Sequence, residues 1–178
     1  MERMEIRLAG TGGQGVILAS IILAEAAVNA GKYACQTQSY GPEARGGACK
    51  AEAIISDSKI SYPEVSDPGF VLVLTRKAAE KYVMNLKDDA IVVVDSRVEI
   101  PEEAKNYKVY HLPILDTAEY KVGKAVTANI VAVGVINRIL GICSYEELVE
   151  TVRNRIPKGT EEFNLKALKA GNEMNLGG

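Results

Sequence analysis

Two glycine-rich segments hold the residues of this chain whose types and spacing suit chemistry at a backbone-lined site. The first, Gly10-Thr-Gly-Gly-Gln-Gly15, has the form G-x-G-x-x-G. Glycines there permit positive φ and close backbone approach, and a helix opening behind them would turn unpaired N–H groups toward an anion. Its candidates are Gly10, Gly12, Gly13, Gln14 and Gly15. A dinucleotide site of this kind also needs an acid at the end of the second strand, to hold a ribose hydroxyl. That strand reads Tyr33-Ala-Cys-Gln-Thr-Gln38 and carries none. No Gly-Lys-Ser/Thr follows the turn either, so it is not a phosphate loop of the Walker type. A tight strand-to-helix turn without any ligand is the other reading.

The second segment, Ser39-Tyr-Gly-Pro-Glu-Ala-Arg-Gly-Gly47, sets one ring, one carboxylate and one guanidinium in a frame of proline and three glycines. Loops that are costly to build and carry charge are more often functional than decorative. Tyr40, Arg45 and Gly46 are its candidates for contacting a ligand or a neighbouring chain, and Glu43 for a structural role. Arg45 could clamp a phosphate or carboxylate through two parallel hydrogen bonds. A local Glu43–Arg45 pair that holds the loop is the alternative.

Beyond these loops the chemistry thins out. The lone histidine, His111, sits at a strand end before Pro113 and reads as structural rather than as a general base. No serine–histidine–aspartate or cysteine–histidine set can be assembled, so no catalytic residue is assigned. Cys35, Cys49 and Cys143 are odd in number and lack C-x-x-C spacing, which fits neither a disulfide framework nor a zinc or iron–sulfur site. Thiols of a reducing cytosol are expected. Asn129, in an apolar helix, and Asn164 need partners for their amides. They would brace the glycine turn, meet a neighbouring chain, or bond internally between helix and loop.

The elements that must position these groups are legible from hydrophobic runs. Strands are expected at Ile6–Ala9, Tyr33–Gln38, Ala48–Asp57 with a continuation at Ile60–Pro63, Phe70–Leu74, Ile91–Asp95 and Val109–Leu112. Helices are expected at Val16–Ala30, Lys77–Asn85, Thr127–Leu140, from Ser144 to about Arg155 behind a Ser144–Glu147 capping box, and at Asn164–Met174. Alternating strands and helices imply a three-layer α/β/α fold with a mostly parallel central sheet and a Rossmann-like first βα unit. The 178 residues fit one domain, 1–178. A net charge of −2 without a basic run gives no case for nucleic acid or an anionic membrane. The N-terminus runs directly into a strand and no stretch of about 18 apolar residues occurs, so a cytoplasmic chain without signal peptide or membrane span is expected.

The two loops at this spacing resemble the gamma subunits of 2-oxoacid:ferredoxin oxidoreductases. The likeness continues in order through Ser56-Asp57, Val71-Leu-Val-Leu74, Asp95-Ser96, Thr127-Ala-Asn-Ile-Val131, Gly134, Asn164-Leu-Lys-Ala167 and Gly171. The form Tyr40-Gly-Pro-Glu-Ala-Arg-Gly-Gly47 is most similar to 2-oxoglutarate members; the Glu-Arg-Arg-Gly-Ala-Pro version of pyruvate members is missing. The resemblance implies an enzyme complex that oxidatively decarboxylates a 2-oxoacid to an acyl-CoA and reduces ferredoxin. It implies alpha, beta and delta partner subunits that hold thiamine diphosphate, Mg and the iron–sulfur clusters, with coenzyme A as co-substrate and no cofactor on this chain alone. The chain would then be an architectural subunit, inactive by itself and able to form a homodimer when isolated, with the glycine turn, Tyr40, Arg45 and Gly46 lining the coenzyme A site or a subunit interface. A small subunit of indolepyruvate:ferredoxin oxidoreductase and a stand-alone nucleotide-binding module are the competing readings.

Overall fold

The computed structural model describes residues 2–38 and 47–177. Strand β1 (Arg3–Thr11) leads through the glycine turn into α1 (Val16–Asn29) and β2 (Tyr33–Gln38). Then come β3 (Ala48–Ser56), β4 (Phe70–Val73), α2 (Arg76–Tyr82), β5 (Ile91–Asp95), a 3₁₀ turn (Glu102–Asn106) and β6 (Lys108–Leu112). The C-terminal part is helical: α3 (Ile114–Asp116) runs into a π-helical turn (Thr117–Val122), followed by α4 (Ala128–Leu140), α5 (Tyr145–Arg155) and α6 (Glu161–Asn172).

The six strands form one sheet in the order β2-β3-β1-β4-β5-β6. The β1–β4, β4–β5 and β5–β6 pairs are parallel, as expected for the half built from strand–crossover–strand units. The other half is antiparallel, because β3 runs against both β1 and β2. The sheet is therefore mixed. The cause is legible: the nine residues between Gln38 and Ala48 are too few for the crossover that a parallel neighbour would need.

Strand alternation sends two sets of side chains to opposite faces. Ile6, Leu8, Ala51, Ile55, Phe70, Leu72 and Val93 pack with α1, α4, α5 and α6. Ala9, Val71, Val73, Val92 and Val94 pack with Ala78, Ala79, Tyr82 and Val83 around α2 and with Ala104 of the 3₁₀ turn. The result is the expected three-layer arrangement, thick on one side and thin on the other. Ile60–Pro63 does not continue β3; Arg3 donates to the Tyr62 and Glu64 carbonyls, and the Ser66 and Asp67 N–H groups donate to the buried Glu5 carboxylate. Backbone groups between Tyr62 and Asp67 are thus met by β1 side chains rather than by a ladder.

Helices α4 and α6 cross at two glycines. A Cβ on Gly134 would lie 2.5 Å from the Leu168 carbonyl oxygen, and one on Gly171 would lie 2.0 Å from that of Val131. Any side chain at either position forces the backbones apart. This crossing sets the height of α4, and hence of the asparagine at its N-terminus, over the glycine turn.

Candidate functional site

Gly10–Gly15 closes on itself. The Gln14 side-chain oxygen accepts the Thr11 N–H at 2.8 Å, while the Gln14 N–H donates to the Thr11 carbonyl at 3.2 Å. Gly10 is required for this, since a Cβ there would lie 2.4 Å from the Gln14 Oε1. Gly13 and Gly15 take positive φ, 91° and 70°, a region other residues resist. Gly12 and Gly13 keep N–H groups without an acceptor among the described residues, and the first turn of α1 has no acid. Two of the turn's donors are thus spent internally, and the remainder still suit an anion.

Asn129 braces the turn. Its Nδ2 donates to the Gly15 carbonyl at 3.3 Å, and its Oδ1 accepts the Ile130 N–H at 2.9 Å. Only a glycine at position 15 leaves room for this amide, as a Cβ there would approach Asn129 Nδ2 to 2.5 Å. The Asn129 bond to Gly15 is an internal one between helix and loop, and it runs to the glycine turn. Asn164 does not reach the turn. It stays within α6 and its cap, donating to the Thr160 carbonyl and hydroxyl at 2.9 and 3.0 Å.

Tyr40, Glu43, Arg45 and Gly46 lie outside the described residues. Their anchors do not. Ala48 pairs with Thr11, and Gln38 pairs with Ala51, so the loop leaves and re-enters the sheet on the edge where the glycine turn sits. Two motifs about thirty residues apart in sequence therefore share one rim of the fold.

Two clefts open on that rim, one on each side of the turn. One, of about 390 Å³, lies among Gly13, Gln14, Arg97, Leu115, Glu119 and Val126. Its cation is neutralised: Arg97 Nε donates to Asp116 at 2.8 Å, and its Nη2 meets Asp116 again and Glu119 at 2.7 Å. These two carboxylates push the guanidinium above its ordinary range, so it stays charged at any working pH. The other cleft, of about 270 Å³, is lined by Thr11, Gly47, Thr75, Arg76 and Lys77. Sequence reasoning missed Arg97 and the Thr75–Lys77 group. Thr75 before a helical stretch was legible as a cap, and it does accept the Ala78 N–H; its place beside Thr11 depends on the β1–β4 register, which one strand does not announce.

His111 is an exposed residue on β6, which forms one edge of the sheet, and lines a cleft with Glu99 and Glu102 far along the sheet from the turn. Cys143 sits in the α4–α5 loop, where its backbone N–H and its thiol both donate to the Asn137 side-chain oxygen. Cys35 opposes Ile54 across the β2–β3 pair, and Cys49 opposes Gly10 across the β3–β1 pair. Among the described residues, no group of three or more His, Cys, Asp or Glu side chains is placed to hold a metal ion. Nor is any helix among them long and apolar enough to cross a membrane.

Comparison with known proteins agrees with this layout. The family model for pyruvate ferredoxin/flavodoxin oxidoreductases matches residues 5–174. The chain is 43% identical to the 2-oxoglutarate synthase subunit KorC of Methanothermobacter marburgensis over 183 aligned positions, covering 99% of this chain and 98% of that one. It superposes on the keto/oxoacid ferredoxin oxidoreductase gamma subunit of Geobacter sulfurreducens with a TM-score of 0.87 and 41% identity, over 97% of this chain and 96% of that one. It also shares its fold with part of the 2-oxoglutarate:ferredoxin oxidoreductase of Magnetococcus marinus, solved with 2-oxoglutarate, coenzyme A and succinyl-CoA bound, at TM-score 0.86 and 23% identity, over 97% of this chain and 31% of that one. By sequence along nearly its whole length and by fold, the chain belongs to the pyruvate ferredoxin/flavodoxin oxidoreductase family.

Proposed function

We propose that this chain is the gamma subunit of a 2-oxoglutarate:ferredoxin oxidoreductase, and that it presents the rim carrying its two loops to coenzyme A. In that reaction the 2-oxoacid loses carbon dioxide, two electrons leave singly to ferredoxin, and the acyl group passes to the coenzyme A thiol. Thiamine diphosphate with Mg, on alpha and beta partner chains, would supply the carbanion chemistry, and clusters there and on a delta chain the electron path. The donor set of this chain does not fit either group, so no step is routed through it.

One observation carries the reading: the glycine turn and the anchors of the 39–46 loop lie on one rim of the sheet. In open α/β sheets, ligands bind beyond the carboxyl ends of the strands. β1, β2 and β4 all end on this rim, and the free N–H groups of the turn and Arg45 suit the phosphates of coenzyme A. The 2-oxoglutarate assignment is supported by the identity with KorC over both full lengths and by the Tyr40–Gly47 motif.

The test is purification of the native complex. Chains carrying thiamine diphosphate and cluster motifs should co-purify, and ferredoxin reduction should need both 2-oxoglutarate and coenzyme A. Within it, Arg45→Ala should raise KM for coenzyme A roughly tenfold. Recovery of this protein without such chains would overturn the reading. An unchanged KM would remove Arg45 from the coenzyme A site.

A further inference from the structure

The two edges of the sheet are finished differently. At β6 the strand begins with exposed Lys108 and stops against Pro113, residues that discourage a further strand from adding on. The β2 edge carries neither. Tyr33-Ala-Cys-Gln-Thr-Gln38 has no charge, no proline and no bulge in its unbroken register with β3, and no strand lies beyond it among the described residues. Lys32, just before it, is held by Asp57 at 3.1 Å. A row of backbone groups is thus left open to another strand. Apolar side chains flank that row on both faces of the sheet: Val28 of α1 is 55% exposed on one, and Tyr33 is 51% exposed on the other.

Beside the edge runs a groove of about 490 Å³ whose lining includes Ile21, Ala24, Val28 and Ala34. Its two charges, Glu25 and Arg155, are paired with each other. Groove and strand are both neutral, so they suit a neutral strand with an apolar helix above it. A second copy supplies both from the same residues. Helix α1 lies over the β2–β3 pair. With strands about 4.8 Å apart, a two-fold β2–β2 pair sets the two α1 axes about 10 Å apart, which is the distance at which helices pack. Pleating restricts the register, because opposed residues must point to the same face. Tyr33, Cys35 and Thr37 share one face, and Ala34, Gln36 and Gln38 the other. Cys35 on the axis sets Tyr33 against Thr37 of the second copy, an aromatic–β-branched pair that covers the exposed ring.

We infer that β2 is the interface between two copies of this chain, joined as antiparallel strands about a two-fold axis at Cys35 with the α1 helices packed across it. The two six-stranded sheets then run on as one. Because β2 runs toward the loop-bearing rim, the antiparallel pair turns the two rims to opposite ends, and neither copy covers the rim of the other. The pairing holds whatever ligand the rim takes.

The experiment measures the mass of the full chain by light scattering against concentration, for the parent and for Val28→Glu combined with Thr37→Lys. Both positions are exposed, and Thr37 opposes Glu52 across the β2–β3 pair, so a lysine there finds a partner within the fold. The parent should be a dimer. The double variant should keep the circular dichroism of the parent and raise the dissociation constant at least about tenfold, since the interface would bury charges without partners. His111→Lys, on the other edge, should leave the dimer intact. A short bismaleimide should link Cys35 to Cys35 of the second copy, their Cβ atoms being about 5 Å apart in the pair. Cys35→Ser, which keeps Cys49 and Cys143, should abolish the link. Cross-linking of the native complex should give the same Cys35–Cys35 product. A chain that stays monomeric at its highest soluble concentration overturns the inference, as does a dimer that the double variant leaves unweakened. So does a link from Cys35 to a different subunit, which would give the edge to another chain. Should the double variant fail to fold, the position of the Cys35 link decides alone.

Discussion

Gly15 and Asn129 form one unit, and each explains the other. The glycine takes a φ of 70° and leaves the volume that the asparagine amide fills; the amide then ties α4 to the start of α1. Asn129→Ala leaves the Ile130 N–H without its partner and the Gly15 carbonyl with the Ala19 N–H alone, and should cost about 1–3 kcal/mol in urea unfolding of the purified chain. Gly15→Ala combines strain at positive φ with the clash against Asn129, and should cost at least as much. The double variant should cost less than the two added together, because the residues touch; full additivity would show that they act apart. Cys143 supplies a pH-dependent counterpart. Burial, assisted by the nearby Glu147 carboxylate, pushes its thiol up to about 11 from an ordinary 9.0. The folded chain therefore holds this proton over a range in which the unfolded chain has lost it. Its contribution is complete below pH 9 and is lost as pH rises toward 11. Comparison of denaturation at pH 8 and 10.5 should show a smaller decline for Cys143→Ala than for the parent; equal declines would contradict the assignment.

At the scale of elements, the helix crossing at Gly134 and Gly171 is the least forgiving feature. Gly171→Ala sets a Cβ against backbone rather than against a side chain that can swing away, and should cost roughly 2–3 kcal/mol, or about 5–10 °C in Tm by calorimetry. Gly141→Ala, at a φ of 60° with open space around it, should cost only about 1 kcal/mol. Most strands and helices were legible because their faces are apolar at the right period, and the Ser144–Glu147 capping box opens α5 as its spacing predicts. The π-helical turn was not foreseen, although Ile114, Ala118 and Val122 recur at every fourth residue and are all buried. Helix α6 starts at Glu161 rather than Asn164, its first turn carrying the acids that favour a helix N-terminus. The glycine turn could be found from sequence. Its alignment with Thr75, Arg76 and Lys77 could not, since that depends on pairings between distant segments.

For the whole molecule, the sheet separates support from contact. Five helical segments thicken one face, α2 covers the other, and the loop-bearing rim is left to meet a ligand or partner chains. Such a subunit would contribute binding and geometry to a complex whose redox groups lie elsewhere. Omission and return of the chain test this most directly. The partner subunits are assembled without it, and 2-oxoglutarate- and coenzyme A-dependent ferredoxin reduction is measured before and after the chain is added back. Little or no coenzyme A-dependent turnover is expected without the chain, with recovery in proportion to the amount restored. Full turnover in its absence, with an unaltered KM for coenzyme A, would contradict it.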